Sequence, residues 1–104
     1  MTITLADEYE HWAMAQIRKA YEICRLKRNP TLVKLITVSN LDTAVMFTNT
    51  LKSAKDKVLC EDKVKYHKLL DWGVVKRKEG GEYGIYLDNS KATIRRIIKQ
   101  RRGK

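Results

Sequence analysis

Apolar side chains at Leu5, Tyr9, Trp12, Ala13, Ile17, Ala20, Tyr21 and Cys24 recur every three or four positions, the period of one face of an α-helix. Thr4-x-x-Asp7 has the form of a capping box, and Asp7, Glu8 and Glu10 suit the positive end of the helix dipole. Arg25, Lys27 and Arg28 suit its negative end, and Asn29-Pro30 stops it. The pattern therefore predicts a long first helix. Met14, Ile23 and Leu26 add apolar surface on its other flank, as expected of a helix that covers its own domain and a second chain.

Pro30 is also well tolerated at the start of a new element. The run Leu32 to Val38 reads as a short buried helix, with a strand as the alternative because of its β-branched content. Ser39-x-x-Asp42 is a second capping signal. Ala44, Phe47, Leu51, Ala54 and Val58 then predict an amphipathic helix over roughly 42–56, with Lys52, Lys55 and Lys57 facing solvent. Glu61 and Asp62 are placed to begin a further helix, carried by Val64, Tyr66, His67, Leu69 and Leu70 to Trp72. Gly73 would close it in the left-handed conformation. Two β-prone runs, Val74 to Lys78 and Tyr83 to Leu87, flank Glu79-Gly80-Gly81-Glu82 and predict a hairpin. Asp88-Asn89-Ser90 caps a last helix whose apolar stripe is Ile94, Ile97 and Ile98. These elements make an α+β, mostly helical chain of one domain over residues 1–104, with no internal repeat or linker.

Charge changes the picture at one end. The net charge is +10, yet the last fourteen residues alone carry seven basic side chains and no acid. Such a balance favours a polyanionic partner, nucleic acid first and an anionic membrane surface second. The tail can lie on phosphates, pack as a helix of a dimer through its isoleucines, or bind a membrane. A stripe of three isoleucines without an aromatic ranks the membrane last. No segment reaches the apolar length of a membrane span, and the N-terminus has no secretory pattern, so a cytoplasmic protein is expected. Cys24 and Cys60 have no zinc-binding spacing and read as reduced thiols, with one bridge between them as the alternative. His11 and His67 show no ligand spacing with either cysteine, and no cofactor is expected. There is no glycine-rich phosphate loop and no cluster of acids for a nuclease metal, so catalysis is not expected.

The stretch Leu69-Leu70-Asp71-Trp72-Gly73-Val74-Val75-Lys76-Arg77-Lys78, followed by the Gly80-Gly81 tip and the Tyr83 to Leu87 return, resembles winged helix-turn-helix transcription regulators. The similarity extends over residues 61–88, and over 31–60 by element order alone. It implies a winged helix with a long N-terminal helix (1–29), a helix-turn-helix plus two-stranded wing (31–88) and a basic C-terminal helix (89–104). It further implies double-stranded DNA binding, with the helix before the wing in the major groove and the wing on phosphates or the minor groove. Carried over by position, Lys63, Lys65, Tyr66, His67 and Lys68 would lie on or beside the exposed helix face. Lys76, Arg77 and Lys78 would load the wing; apart from the resemblance, the charge of the tail suits Arg95, Arg96, Lys99, Arg101 and Arg102 to phosphates outside that footprint, as one of its three readings.

That helix has no Arg, Asn or Gln, the side chains suited to bidentate base reading, so most of its contacts would position rather than specify. Specificity could instead come from Tyr66, His67, or Thr43, Thr48 and Asn49 of the preceding helix. The plain alternative for Lys63, Lys65 and Lys68 is a solvated face partnered by Glu61 and Asp62, and for the wing lysines a guard against edge pairing. Trp12 and Trp72 read as core, and Tyr83 and Tyr86 as hairpin packing. Two functions follow: a homodimeric transcription regulator, or a winged-helix module that docks on a replication or transcription complex. RNA binding is a third and weaker reading. Composition rich in Lys, Arg and Ile with one Pro is similar to that of small proteins of thermophilic archaea and their viruses.

Overall fold

Among the residues described by the computed structural model, 5–26 and 32–103, three α-helices stand against a three-stranded antiparallel sheet. The order is α1 (Leu5–Leu26), β1 (Leu32–Val38), α2 (Leu41–Glu61), a short 3-10 helix (His67–Asp71), β2 (Gly73–Glu79), β3 (Glu82–Asp88) and α3 (Lys91–Arg102). The expected Thr4 cap, the Asn29-Pro30 stop and the basic residues Lys27 and Arg28 fall outside the described residues.

The sheet runs β1-β3-β2, which puts β3 in the middle, and Gly84, Ile85, Leu87 and Asp88 of that strand are buried. The run 32–38, read first as a helix, is the edge strand β1. Val33, Ile36, Thr37 and Val38 are β-branched and stiff at χ1, which suits a pleated surface better than a helix. Its register against β3 shifts between Lys34 and Ile36. This bulge lets two consecutive apolar residues, Leu35 and Ile36, both join the core.

Asn40 rather than Ser39 caps α2, its side chain accepting the Thr43 N–H at 3.1 Å. The helix also runs five residues beyond 56. Val58 continues the buried stripe of Ala44, Thr48, Leu51 and Ala54, and no Gly or Pro stands between 57 and 60 to end it. Tyr9 and Trp12 of α1 meet Phe47, while Arg18 pairs with Glu61 at the far end of α2. Between these contacts Ala13, Ile17, Ala20 and Tyr21 pack with Leu51, Ala54 and Val58 and with Leu35, Ile85 and Leu87 of the sheet.

The helix expected over 61–72 does not form. Glu61 ends α2, Asp62 is extended, residues 63–66 turn, and only 67–71 are helical, in the tighter 3-10 form. The buried residues explain this. Tyr66, Leu69 and Trp72 are spaced by three, the period of a 3-10 helix, whereas Leu70 is half exposed. In the 3-10 form positions three apart fall on one line along the segment. Asp62 still acts as a local cap, its carboxylate accepting the Lys65 N–H at 3.0 Å. The Tyr21 ring packs 5.1 Å from Tyr66 and 5.4 Å from Trp72. Its hydroxyl donates to the Lys65 carbonyl at 2.5 Å, and burial pushes its phenol up, so the donor stays protonated.

Gly73 is likewise not a left-handed cap, because it opens β2. A Cβ there would stand 3.2 Å from Thr93 Cγ2 and 3.7 Å from Ile97 Cδ1, so its role is to let α3 approach the sheet. At the hairpin tip only Gly80 has a positive φ, 62°, as in a turn that is left-handed at its first central residue alone.

Candidate functional site

Alternation along β2 sorts the basic residues of the hairpin onto two faces. Lys76 and Lys78 stand opposite Ile85 and Tyr83 and share the side of the sheet that carries the helices. Arg77 stands opposite Gly84 on the outer side. There Tyr86 folds across Gly84, and its hydroxyl donates to Glu79, which also accepts from Lys34 at 3.2 Å. The Tyr86 hydroxyl first, and then the Lys34 ammonium, hold the Glu79 carboxyl below the usual carboxylate range.

On the helix side a groove of about 430 Å³ opens between α2, β2 and α3, lined by Val45, Thr48, Asn49, Lys52, Val75, Lys76 and Arg96 among others. It runs into a second hollow of about 470 Å³ that shares Lys52 and Arg96 and adds Lys55, Asp56 and Gln100. Arg96 and Gln100 in turn border a further hollow along α3 toward Gly103. Three cations from three separate elements, Lys52, Lys76 and Arg96, thus meet at one concavity.

Ion pairing separates this groove from the opposite edge of α2. Glu10 holds Lys57 at 2.5 Å, Glu61 holds Arg18 at 2.5 Å, Glu22 holds Arg25 at 3.0 Å, and Asp71 takes Arg101. Among the described residues, Lys52, Lys76 and Arg96 have no such partner, and Lys76 lies 6.0 Å from the Tyr83 ring centroid. The Asp88 carboxylate at the start of α3 feels the Arg96 charge, and Asp56 lines the second hollow. Lys55 also borders it but is turned inward. Its ammonium donates to the carbonyls of Leu69 at 3.1 Å and Trp72 at 2.8 Å, and burial holds its pKa below the usual lysine value.

The wall formed by α3 is held by one carboxylate. Asp88, at the end of β3, accepts the Ser90 N–H at 2.8 Å and the Thr93 hydroxyl at 2.6 Å. Burial alone would push this carboxyl up. The hydrogen bonds of Thr93 and Ser90 and the nearby Arg96 charge outweigh that and leave it below its ordinary value. Ser90 caps α3 by accepting the Thr93 N–H at 3.3 Å. Ile94 packs on the core and Ile97 lies against Gly73, so the isoleucine stripe is spent mainly within the chain.

The residues singled out from sequence therefore divide. Lys76 and Arg96 line the groove, Lys78 extends its side of the hairpin, and Arg77 faces away. Arg95, Lys99 and Arg102 are exposed on α3 without ion pairs among the described residues, while Arg101 is tied to Asp71. Lys63, Lys65, His67 and Lys68 are exposed on the turn and 3-10 segment rather than on a helix long enough to fill a groove of duplex DNA, and Lys65 leans over the Tyr66 ring at 5.2 Å. Tyr66 is a correction: it is 7% exposed and belongs to the core. Lys52 and Gln100 were missed as site residues. Each looks like an ordinary solvated position until α2, β2 and α3 are brought together.

Elsewhere, a small cleft of about 320 Å³ is lined by Glu8, Tyr9, Trp12, Ile36 and Phe47. Cys24 is buried, Cys60 is exposed and no disulfide joins them. Among the described residues no group of three or more His, Cys, Asp or Glu could hold a metal, and no helix is long and apolar enough to cross a membrane. Comparison of the chain with protein-family models, with curated proteins and with solved structures finds no match, so the reading of the groove rests on its own chemistry.

Proposed function

We propose that this protein binds double-stranded DNA by its phosphates, as a non-catalytic regulator of transcription. The observation that carries the proposal is the meeting of Lys52, Lys76 and Arg96 at one groove, without ion-pair partners among the described residues, while acids neutralise cations on the opposite flank of α2. Unpaired cations grouped on a concave wall attract a polyanion and release its counterions on binding. Lys78, Arg95, Lys99 and Arg102 would extend the footprint along the wing and α3. The basic hairpin directly behind the 3-10 segment supports the winged-helix resemblance. The missing helix over 61–72 departs from it and moves the DNA-facing surface toward α2.

A homodimer through α1 belongs to the same proposal. Ile23 is 37% and Leu26 77% exposed near the end of that helix. Sedimentation of the wild type beside an Ile23→Glu, Leu26→Glu variant tests it, and an unchanged mass would remove α1 from the interface.

The second reading, a docking module for a protein complex, is favoured by the cleft at Tyr9, Trp12, Ile36 and Phe47, because Tyr9 leaves 45% of its surface exposed there. Fluorescence anisotropy of a labelled random duplex, titrated at several salt concentrations beside the same-length single strand, separates the two. Duplex binding that falls by orders of magnitude between about 50 and 200 mM salt fits phosphate contacts. No binding at low salt would leave the docking module.

A further inference from the structure

Resting on the duplex-binding reading, we propose that the outer face of the N-terminal half of α2 reads A·T base pairs in the major groove, Asn49 on adenine and Val45 and Met46 on thymine methyls. The stretch 61–72 provides no α-helix for this purpose, so α2 is the last α-helix before the hairpin, and it borders the cationic groove.

Its outer face has a composition that calls for an explanation. Val45, Asn49, Lys52 and Asp56 lie at spacings of four, three and four, one stripe along the helix, with Met46 beside it. Val45 is 43% and Met46 49% exposed, on a helix whose other side already supplies the core. Asp42 and Asp56 bound this exposed stretch at its two ends, and between them Lys52 is its exposed cation.

The chemistry of these side chains selects the base pair. An exposed Asn amide presents a donor and an acceptor in one plane, the match for adenine N6 and N7. Branched or thioether apolar groups one turn away suit the thymine C5-methyl. Thr48 is not a reader, because its hydroxyl is spent on the Ala44 carbonyl at 2.7 Å. Lys52, one turn on from Asn49, stands with Lys76 and Arg96 where phosphates would flank an inserted helix.

The test measures anisotropy with four duplexes of about 25 base pairs. One is all A·T in mixed order and one all G·C. The other two are the A·T duplex carrying 7-deazaadenine or carrying uracil for thymine, which alter the major-groove edge alone. The wild type is expected to bind the A·T duplex about tenfold tighter than the G·C duplex and to lose most of that margin on either modification. In Asn49→Ala the 7-deaza effect should vanish, and in Val45→Ala with Met46→Ala the uracil effect should vanish. Equal, salt-sensitive binding of A·T and G·C would overturn base reading by α2 while leaving phosphate binding intact. An A·T preference indifferent to both modifications, or to Asn49→Ala, would also overturn it, since the preference would then come from duplex shape. Failure of the wild type to bind any duplex at low salt would overturn the duplex-binding reading itself, and this inference with it.

Discussion

The two long edges of α2 carry similar side chains and reach opposite electrostatic ends. Toward α1, Lys57 and Glu61 find Glu10 and Arg18, and that edge closes on itself. Toward β2 and α3, Lys52 faces Lys76 and Arg96, and among the described residues none of the three forms a salt bridge, the Arg96 charge reaching Asp88 only at longer range. The excess charge of a protein is thus less informative than where its acids are spent. Exposed ion pairs contribute little to stability, typically about 0–1 kcal/mol each. Their consequence here is to leave one face neutral and the other cationic.

The largest effect expected from breaking this contrast is on binding. Reversing all three groove charges, with Lys52→Glu, Lys76→Glu and Arg96→Glu together, should weaken duplex affinity by about 10³-fold or more at moderate salt. Neutralising them with alanine should flatten the salt slope by about three units, and anisotropy at several salt concentrations reads both. Asp88→Ala should come next. It removes a carboxylate that holds two hydrogen bonds at the start of α3 and should cost about 2–4 kcal/mol in thermal or denaturant unfolding.

Because the Asp88 carboxyl lies below its ordinary value in the folded chain, the unfolded chain takes up a proton first as pH falls. The stabilisation is therefore full above the unfolded carboxylate pKa of about 3.9 and is lost as pH drops through the lower folded value. In Asp88→Asn that part of the acid-induced loss should disappear, which a series of melts from neutral pH down to about pH 3 measures. Lys55→Met sharpens the comparison at intermediate size. It deletes a charge beside the groove, but that ammonium points to the Leu69 and Trp72 carbonyls. Stability should fall by about 1–2 kcal/mol while duplex affinity stays within about twofold. Smallest of all, Arg18→Gln with Lys57→Gln on the closed edge should shift stability by about 1 kcal/mol or less and leave the salt slope unchanged.

Periodicity alone was enough to read α1, the core stripe of α2, the Gly-Gly hairpin and the capped α3. In each, the apolar spacing and the local turn or cap chemistry agree. It misread 61–72, where acids at the start and a glycine at the end mimic helix boundaries. The deciding fact is that Tyr66, Leu69 and Trp72 must all face inward, and Tyr21 of α1 sets that requirement from a distant part of the sequence. The groove was half legible: Lys76 and Arg96 stood out as basic runs, whereas Lys52 and Gln100 gain meaning only from tertiary proximity.

The clasp at Asp88 has a consequence for how occupancy would be felt elsewhere. One wall of the groove, with Arg96 and Gln100, belongs to a twelve-residue helix anchored to the sheet by that carboxylate and by partly buried isoleucines. Local opening of the last helix would carry Arg96 away from Lys52 and Lys76, so a polyanion held by all three cations must select against the open form. Amide exchange along 91–102 should then slow when a polyanion fills the groove, which would make α3 a reporter of occupancy.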